Sequence, residues 1–371
     1  MKTKKIFALG PLIVLFLILY LAENLTKAEL SKSLTIYEKL SNEMTYHYLI
    51  VGDSIGRGSG AEDKSKTWFH QLEGFIKNKY GSSAKRYSVV QSGATAFEGI
   101  YKLQEAVLPE QIDLAFIVFG ENDRKHMNSG QFAYFYEKLI RQVKKRYPSA
   151  EIFTFTESCL NNEPFAEEIR RISKHYGATN IDMRVPFRQS TFTTAELTTD
   201  LIHPNGKGYK LYAKEVFKTL EKNMFKKEIK PVLPTPLFKH VDSKLQSIRS
   251  FKEKKGFYYN QGFLFSTGKD NFIEYEFTGP FLGVTVLQNE QGGLMDVYLN
   301  DEYYTTISTW WPLEKIRHLY IASDLNEGPN HVKFVVTGEK SRNNVTDKAD
   351  VKISSIIVAE KKKAKQQRKP F

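Results

Sequence analysis

The stretch YLIVGDS, residues 48–54, decides the fold class of this 371-residue chain. Its first four residues are apolar, which is typical of a strand buried on both faces of a sheet. Gly52 then allows a tight turn, and Ser54 follows where the strand ends. Because ligands of open parallel sheets bind beyond the carboxyl ends of the strands, Ser54 is a candidate functional residue. Gly-Asp-Ser is also a common loop tripeptide, so a plain turn is the alternative.

Strand-like and helix-like segments alternate from residue 46 to residue 228. Further short apolar runs predict strands at residues 87–90, 114–119, 152–155 and 180–183. Apolar residues at helical spacing predict helices at residues 68–80 and 132–147, and a last helix around residues 209–220. This alternation predicts a parallel sheet covered by helices on both faces, that is, an α/β domain over residues 46–228.

The pattern changes after three prolines, at positions 231, 234 and 236, which predict a linker over residues 229–238. Beyond them, alternating apolar runs are separated by turns rich in glycine, asparagine and aspartate. These runs predict strands at residues 272–277, 282–287, 294–299, 318–322, 331–336 and 351–358. Short strands at near-regular spacing predict a mostly antiparallel β-sandwich over residues 239–360.

The N-terminus has the pattern of a membrane segment. Three lysines precede residues 6–22, which carry no charge, and this predicts an anchor or signal over residues 1–22. Lysines on that side favour a bacterial single-pass membrane protein whose body faces outside. A cleaved signal, which would give a secreted protein, and a buried core helix are the alternatives. Apolar positions at helical spacing predict a helical stem over residues 23–45.

The net charge of +12 is concentrated at the two ends of the chain. The N-terminal lysines contribute three charges and residues 361–371 contribute six, so residues 6–360 carry only three. We therefore predict no nucleic-acid partner. The tail over residues 361–371 is predicted to be disordered, with anionic wall polymer or lipid headgroups as its possible partners. The single cysteine excludes an intrachain disulfide and a cysteine-cluster zinc site.

Asp200 and His203 form the second candidate site. They lie three residues apart just before the last predicted helix of the α/β domain. A histidine that acts as a base needs its proton on the correct nitrogen, and a carboxylate bonded to the other nitrogen fixes this. A single turn of the chain can bring the two side chains together. The alternative is a helix-capping aspartate beside a surface histidine.

Two further segments follow predicted strands. Asn122, in Gly-Glu-Asn-Asp, comes after the third strand, and its side-chain amide could donate to a developing oxyanion. Gly93 comes after the second strand and could offer its backbone N–H to a substrate. Ordinary turns are the alternative for both segments.

Taken together, these segments resemble the SGNH (GDSL-type) hydrolase family over about residues 46–222. Gly-Asp-Ser at 52–54 fits the nucleophile block, Gly93 the glycine block, residues 120–123 the Gly-x-Asn-Asp block, and residues 200–203 the Asp-x-x-His block. The resemblance implies a flavodoxin-like three-layer α/β/α fold and no metal or organic cofactor. It implies Ser54 as nucleophile, His203 as base and Asp200 as its orienting partner. The oxyanion hole would be formed by the backbone of Ser54, the N–H of Gly93 and the side chain of Asn122.

The predicted sandwich resembles the jelly-roll modules that accompany some carbohydrate esterases, mainly over residues 272–299. We therefore expect an extracytoplasmic serine esterase that hydrolyses O-acyl esters, above all O-acetyl esters, on a cell-surface or extracellular polysaccharide. An O-acetyltransferase of the same fold and a non-catalytic wall-binding protein are the alternatives. Trp310-Trp311 and Tyr303-Tyr304 are expected to be core residues, with a sugar-stacking platform as the alternative.

Overall fold

The computed structural model describes residues 34–225, 229 and 231–360. The predicted anchor at 1–22, residues 23–33 of the predicted stem and the basic tail at 361–371 lie outside the described residues. In the part of the chain that is described, no helix is both long enough and apolar enough to cross a membrane.

The first domain contains a five-stranded parallel sheet. Its strands are β1 (Tyr46–Gly52), β2 (Ala84–Val90), β3 (Leu114–Val118), β4 (Glu151–Thr156) and β5 (Thr179–Asp182). They are ordered β2-β1-β3-β4-β5, which is the flavodoxin-like order. Every residue of β3 and β4 is buried, as expected for central strands covered on both faces. The predicted α/β fold is confirmed, with strand ends within a few residues of those expected.

Helices cover both faces of this sheet. They are α1 (Ile36–Ser41), α2 (Ser54–Arg57), α3 (Trp68–Tyr80), α4 (Ala96–Glu105), α5 (Ser129–Arg146), α6 (Glu163–His175), α7 (Arg184–Arg188), α8 (Thr194–Leu197) and α9 (Gly206–Met224), with 3-10 turns at Lys64–Lys66 and Asp123–Lys125. The apolar sides of α1, α3 and α9 form one core cluster with the sheet. Those of α4, α5 and α6 form a second cluster on the opposite face.

The described end of the predicted stem is packed into this domain. Helix α1 buries Ile36 and Leu40 in the same cluster as α3 and α9. Lys39 forms an ion pair of 2.8 Å with Asp113, and both side chains are only 2% exposed. A buried pair of this kind fixes the position of the helix, because separating the charges would leave one of them uncompensated. From Leu34 onward, the predicted stem is therefore part of the globular domain.

Among the described residues between the domains, 231–238 form no helix or strand, and they are held against α5 by hydrogen bonds. The backbone N–H groups of Leu237 and Phe238 donate to the buried Glu137 carboxylate at 2.6 and 2.9 Å. The Arg141 guanidinium donates to the carbonyl of Pro234 at 2.7 Å. Residues 234–238 of the predicted linker are thus held in place along the first domain.

The second domain consists of two antiparallel sheets around one apolar core. The first sheet has the order β13-β12-β15-β10-β7 and the second β14-β11-β16-β9-β8, with β6 paired to β16. The strands are β6 (Leu245–Ile248), β7 (Glu253–Lys255), β8 (Tyr258–Asn260), β9 (Phe263–Ser266), β10 (Phe272–Thr278), β11 (Phe281–Gln288), β12 (Gly293–Leu299), β13 (Glu302–Ser308), β14 (Lys315–Ser323), β15 (Pro329–Lys340) and β16 (Val351–Ala359). The predicted antiparallel β-rich domain is confirmed.

The two domains share an apolar interface. Phe281 and Tyr320 of the sandwich belong to the same buried cluster as Phe97 and Phe135 of the first domain. Helix α4 lies against β14, and the Tyr101 ring stacks near the His318 ring with centroids 4.2 Å apart. Because the cluster is continuous, the sandwich is held in a defined position beside the loop that follows β2.

Candidate active site

Ser54 lies at the carboxyl end of β1, as the first residue of the short helix α2. The Asp53 carboxylate caps this helix by accepting from the N–H of Ile55 at 2.8 Å. The backbone just before Ser54 is bonded to the ends of both neighbouring strands, since the Asp53 N–H donates to Val118 and the Gly52 carbonyl accepts from Gln91. These bonds hold Ser54, which is 7% exposed, at the crevice above the sheet.

His203 lies between Ser54 and Asp200. Its Nε2 is 2.9 Å from the Ser54 hydroxyl, and its Nδ1 is 2.7 Å from the Asp200 carboxylate. The three side chains come from positions as far as 149 residues apart in the sequence. A hydroxyl bonded to an imidazole can pass its proton to it, and the carboxylate holds the imidazole in the required tautomer.

The loop that carries His203 is held by Asp200 itself. The Asp200 carboxylate accepts from the backbone N–H groups of Ile202 at 3.1 Å and His203 at 2.7 Å. Partial burial opposes ionisation of Asp200, but these bonds and the His203 side chain keep its pKa below the ordinary value. Leu201 takes a left-handed backbone conformation, with φ of 66°, in the turn between the two residues. The carboxylate is therefore ionised at neutral pH and fixes both the loop and the ring.

Gly60 permits the close approach of this loop to α2. A Cβ at this position would lie 2.6 Å from the carbonyl of Pro204 and 2.8 Å from the Cβ of His203. Its φ of 95° also favours glycine. Any larger residue would push His203 away from Ser54.

Asn122 and Gly93 lie beside Ser54 at the ends of the adjacent strands. The Asn122 amide donates one N–H to the Asp53 carboxylate at 2.8 Å. An amide nitrogen carries two N–H groups, and this bond uses only one of them. Gly93 has a φ of 74° in a turn closed by the bond from the N–H of Ala94 to the carbonyl of Gln91.

Three buried carboxyl groups form a layer beneath these residues. Burial raises the pKa of Asp53 to about 6 and that of Asp123 to about 7, and it raises the pKa of Glu157 well above its ordinary value. Asp123 accepts from the N–H of Ala96 at 2.8 Å, and Glu157 accepts from the N–H of Glu121 at 2.8 Å. Each group thus holds a loop that leads into the site.

The sandwich domain contributes directly to the surroundings of Gly93. The Arg317 guanidinium donates to the carbonyl of Gly93 at 3.0 Å and pairs with the Glu98 carboxylate at 2.9 Å. Sequence reasoning missed both residues. Strand β14 begins at Lys315, but it was predicted to begin at residue 318, just after Arg317. Glu98 lies among the apolar residues of α4, where a lone carboxylate was the only available signal.

A cavity of about 640 Å³ opens between the domains next to Gly93. Its walls include Trp310 and Trp311, both half-buried, and Tyr304, which is 45% exposed. The expectation that these aromatic residues belong to the core is wrong. Trp310 and Trp311 line the cavity because the turn after β13 lies at the domain interface, and Tyr304 lines it from β13 itself. Tyr303, also expected in the core, is 59% exposed.

Comparison with known proteins agrees with this architecture. Residues 50–211 match the model of the GDSL-like lipase/acylhydrolase family. No curated protein matches the chain significantly.

Among solved structures, a two-domain esterase active on acetylated mannans superposes with a TM-score of 0.67 at 16% identity, covering 88% of this chain and 94% of that one. The same esterase co-crystallised with mannopentaose gives a TM-score of 0.67 at 17% identity, covering 89% and 94%. An acetylxylan esterase from Geobacillus stearothermophilus gives a TM-score of 0.41 at 17% identity, covering 47% of this chain and 94% of that one. The first two matches show that this chain has the same two-domain fold.

Proposed function

Because residues 50–211 match the model of the GDSL-like lipase/acylhydrolase family, we propose that this chain is an ester hydrolase of that kind and that it removes O-acetyl groups from a polysaccharide. The observation that carries this proposal is the continuous line of hydrogen bonds from Ser54 through His203 to Asp200. Such a line activates a serine hydroxyl for attack on an ester carbonyl.

The proposed reaction has two steps. The Ser54 oxygen attacks the acetyl carbonyl while His203 Nε2 takes the hydroxyl proton, and the sugar oxygen leaves with that proton. Water then attacks the acetyl-serine ester, again passing one proton to His203, which returns it to the Ser54 oxygen. Acetic acid leaves and releases the second proton to solvent, which gives acetate. Asp200 stabilises the imidazolium that forms in each step without itself becoming protonated.

The negative charge on the carbonyl oxygen needs donors close to Ser54. We assign this role to the backbone N–H groups of Ser54 and Gly93 and to the second amide N–H of Asn122. Preorganised donors of this kind typically contribute about 10²–10³ in rate each. The bond from Asn122 to Asp53 supports the assignment, since it fixes the amide plane at the edge of the crevice.

The cavity between the domains supports a carbohydrate substrate. Flat aromatic side chains with polar tips, such as Trp310, Trp311 and Tyr304, suit the mixed polar and apolar faces of a sugar ring. The two-domain esterase that shares this fold acts on acetylated mannans, and we extend that substrate class to this chain. We further propose that the N-terminal segment places the enzyme at the outer face of a bacterial membrane, with secretion as the alternative if the segment is cleaved. The basic tail would then meet anionic wall polymer or lipid.

Hydrolysis of p-nitrophenyl acetate by the full chain tests the proposed nucleophile. We expect activity in the wild type and its loss in Ser54→Ala. Ser82→Ala is the matched control, because Ser82 is also a buried serine, but its hydroxyl donates to the carbonyl of Tyr80 at 3.4 Å just before β2 begins, at the opposite end of the sheet from Ser54. Equal activity of Ser54→Ala and wild type would refute the role of Ser54.

Acetylated mannan and acetylated xylan then test the substrate class. Release of free acetate indicates the proposed esterase. Appearance of acetyl groups on an added polysaccharide or muropeptide acceptor would instead indicate an O-acetyltransferase. Binding to wall material with neither reaction would indicate a non-catalytic protein.

A further inference from the structure

The turn formed by residues 91–94 decides where the Gly93 N–H points. Gly93 is the third residue of this turn, and its positive φ is that of a type II turn. In a type I turn, the peptide that joins the second and third residues is inverted relative to type II. The Gly93 N–H belongs to that peptide, so an inversion would turn this donor away from the orientation that the proposed oxyanion hole requires. Glycine tolerates both forms, and the turn therefore needs support from its surroundings.

Within the turn, the Gln91 side-chain amide donates to the carbonyl of Ser92 at 3.1 Å, which belongs to the peptide that would invert. Two further contacts hold the turn from opposite sides. On the first-domain side, Asp123 accepts from the N–H of Ala96, where α4 begins. On the sandwich side, Arg317 donates to the carbonyl of Gly93. The ring of Trp311 lies 3.2 Å from the place where a Cβ on Gly93 would be, so it covers the outer face of the turn.

The Arg317 side chain is itself fixed in place. Its Nε is 3.0–3.1 Å from both Glu98 oxygens, and one Nη donates to Gln288 at 3.3 Å. The side chains of Arg317 and Glu98 are 4% and 1% exposed. The guanidinium also lies over the Trp311 ring, 5.1 Å from its centroid. A buried and multiply bonded guanidinium has one available geometry, and that geometry includes the bond to Gly93.

From these contacts we infer that Arg317 is a positioning residue for the oxyanion hole. The sandwich domain, through Arg317 at the Gly93 carbonyl and Trp311 over the outer face, keeps the 91–94 turn in the position from which the Gly93 N–H is presented to the reacting carbonyl. This inference rests on the proposed esterase function. It makes the second domain part of the catalytic unit as well as a surface for the polymer.

The test compares the full-length wild type with three variants. In Glu98→Gln/Arg317→Met both buried charges are removed together, so neither is left unpaired, and the donor to Gly93 is lost. Arg317→Lys retains one donor but loses the paired contact with Glu98. Tyr101→Phe is the matched control, because it removes a 2.7 Å bond to Ser247 across the same interface and leaves the 91–94 turn untouched.

Three measurements are made on each protein. They are kcat and KM for p-nitrophenyl acetate, the affinity for a small alkylboronic acid that mimics the tetrahedral intermediate, and amide hydrogen exchange of residues 91–95. For the double variant we expect kcat to fall by about 10- to 100-fold, because one donor of the oxyanion hole is lost part of the time. We expect KM within twofold of wild type, a similar loss of boronate affinity, and faster exchange at the turn. Arg317→Lys should show a smaller loss, and Tyr101→Phe none.

A folded double variant with wild-type kcat, or with unchanged exchange at residues 91–95, would overturn the inference. Equal losses in Tyr101→Phe would also overturn it, since they would show that any loosening of the interface has the same effect. Absence of ester hydrolysis in the wild type would refute the proposed function instead. Hydrogen exchange would still decide whether Arg317 holds the turn.

Discussion

Replacing Asp200 with asparagine tests how the triad works when its acidic member is partly exposed. The Asp200 side chain is 51% exposed and that of His203 is 27% exposed. Asparagine keeps the shape but loses the charge, and it can present its amide N–H to His203 Nδ1, which leaves the proton on the wrong nitrogen. A hydrogen bond to a charged group is worth about 1.5–3 kcal/mol, so its loss lowers kcat by about 10- to 150-fold.

This expected loss is smaller than the fall of about 10⁴ that is typical of a fully buried triad aspartate. Water can reach Asp200 and partly replace the lost carboxylate, which limits the cost. Steady-state hydrolysis of p-nitrophenyl acetate by Asp200→Asn measures the effect. Asp63→Asn is the control, because Asp63 is another exposed aspartate that accepts a backbone N–H two residues ahead. A loss below about threefold would show that Asp200 does not orient the imidazole, and a loss near 10⁴ would refute the argument from exposure.

Three further predictions concern the site and the fold. Gly60→Ala places a Cβ 2.8 Å from that of His203, so we expect kcat to fall by about 10²-fold while the circular dichroism spectrum is retained. An unchanged kcat would show that the loop carrying His203 adapts freely to the larger residue. Lys39→Met leaves Asp113 buried without its cation, so the free energy of unfolding in urea should fall by about 3 kcal/mol; a change below about 1 kcal/mol would contradict the structural role of α1. Burial raises the pKa of Asp123 to about 7, so the folded state keeps a proton that the unfolded chain has already released above about pH 4. The stability from this proton is therefore lost as pH rises towards 7, and Asp123→Asn should flatten the decline in melting temperature between pH 5 and pH 8; equal slopes in both proteins would contradict the raised pKa.

The central strands of both domains were predictable because burial on both faces, or on alternate residues, leaves a clear apolar pattern. Helix α3 matches its predicted bounds for the same reason. Strands β6, β7, β8, β9 and β13 were missed. Every residue of β7 and β8 is exposed, and β6 and β9 are only four residues long, so none of these four shows a long apolar pattern. Helices α4 and α6 were missed as well. The buried face of α4 is interrupted by Glu98, whose partner is supplied by the other domain. The buried residues of α6 stand at helical spacing, so its signal was present in the sequence.

The residues of the candidate site also differ in how far the sequence reveals them. Ser54, Gly93 and Asn122 follow strand ends, and Asp200 and His203 come just before α9. Local pattern made each of them a candidate, and the order of the four segments along the chain, which resembles the SGNH family, supplied their expected roles. No local sequence pattern singles out Arg317. Its ion pair with Glu98 joins residues 219 positions apart and depends on how the two domains pack, which the spacing of residues along the chain does not reveal.

The apolar cluster that runs through both domains has a consequence for how the protein melts. When α4 and α5 unfold, Phe281 and Tyr320 of the sandwich lose their apolar contacts. When the sandwich unfolds, the apolar residues of α4 and α5 lose theirs. Heating should therefore produce one calorimetric peak for the two halves. Cleavage within residues 231–238, followed by separation of the two fragments, would expose the apolar interface between the domains, and the fragments would aggregate.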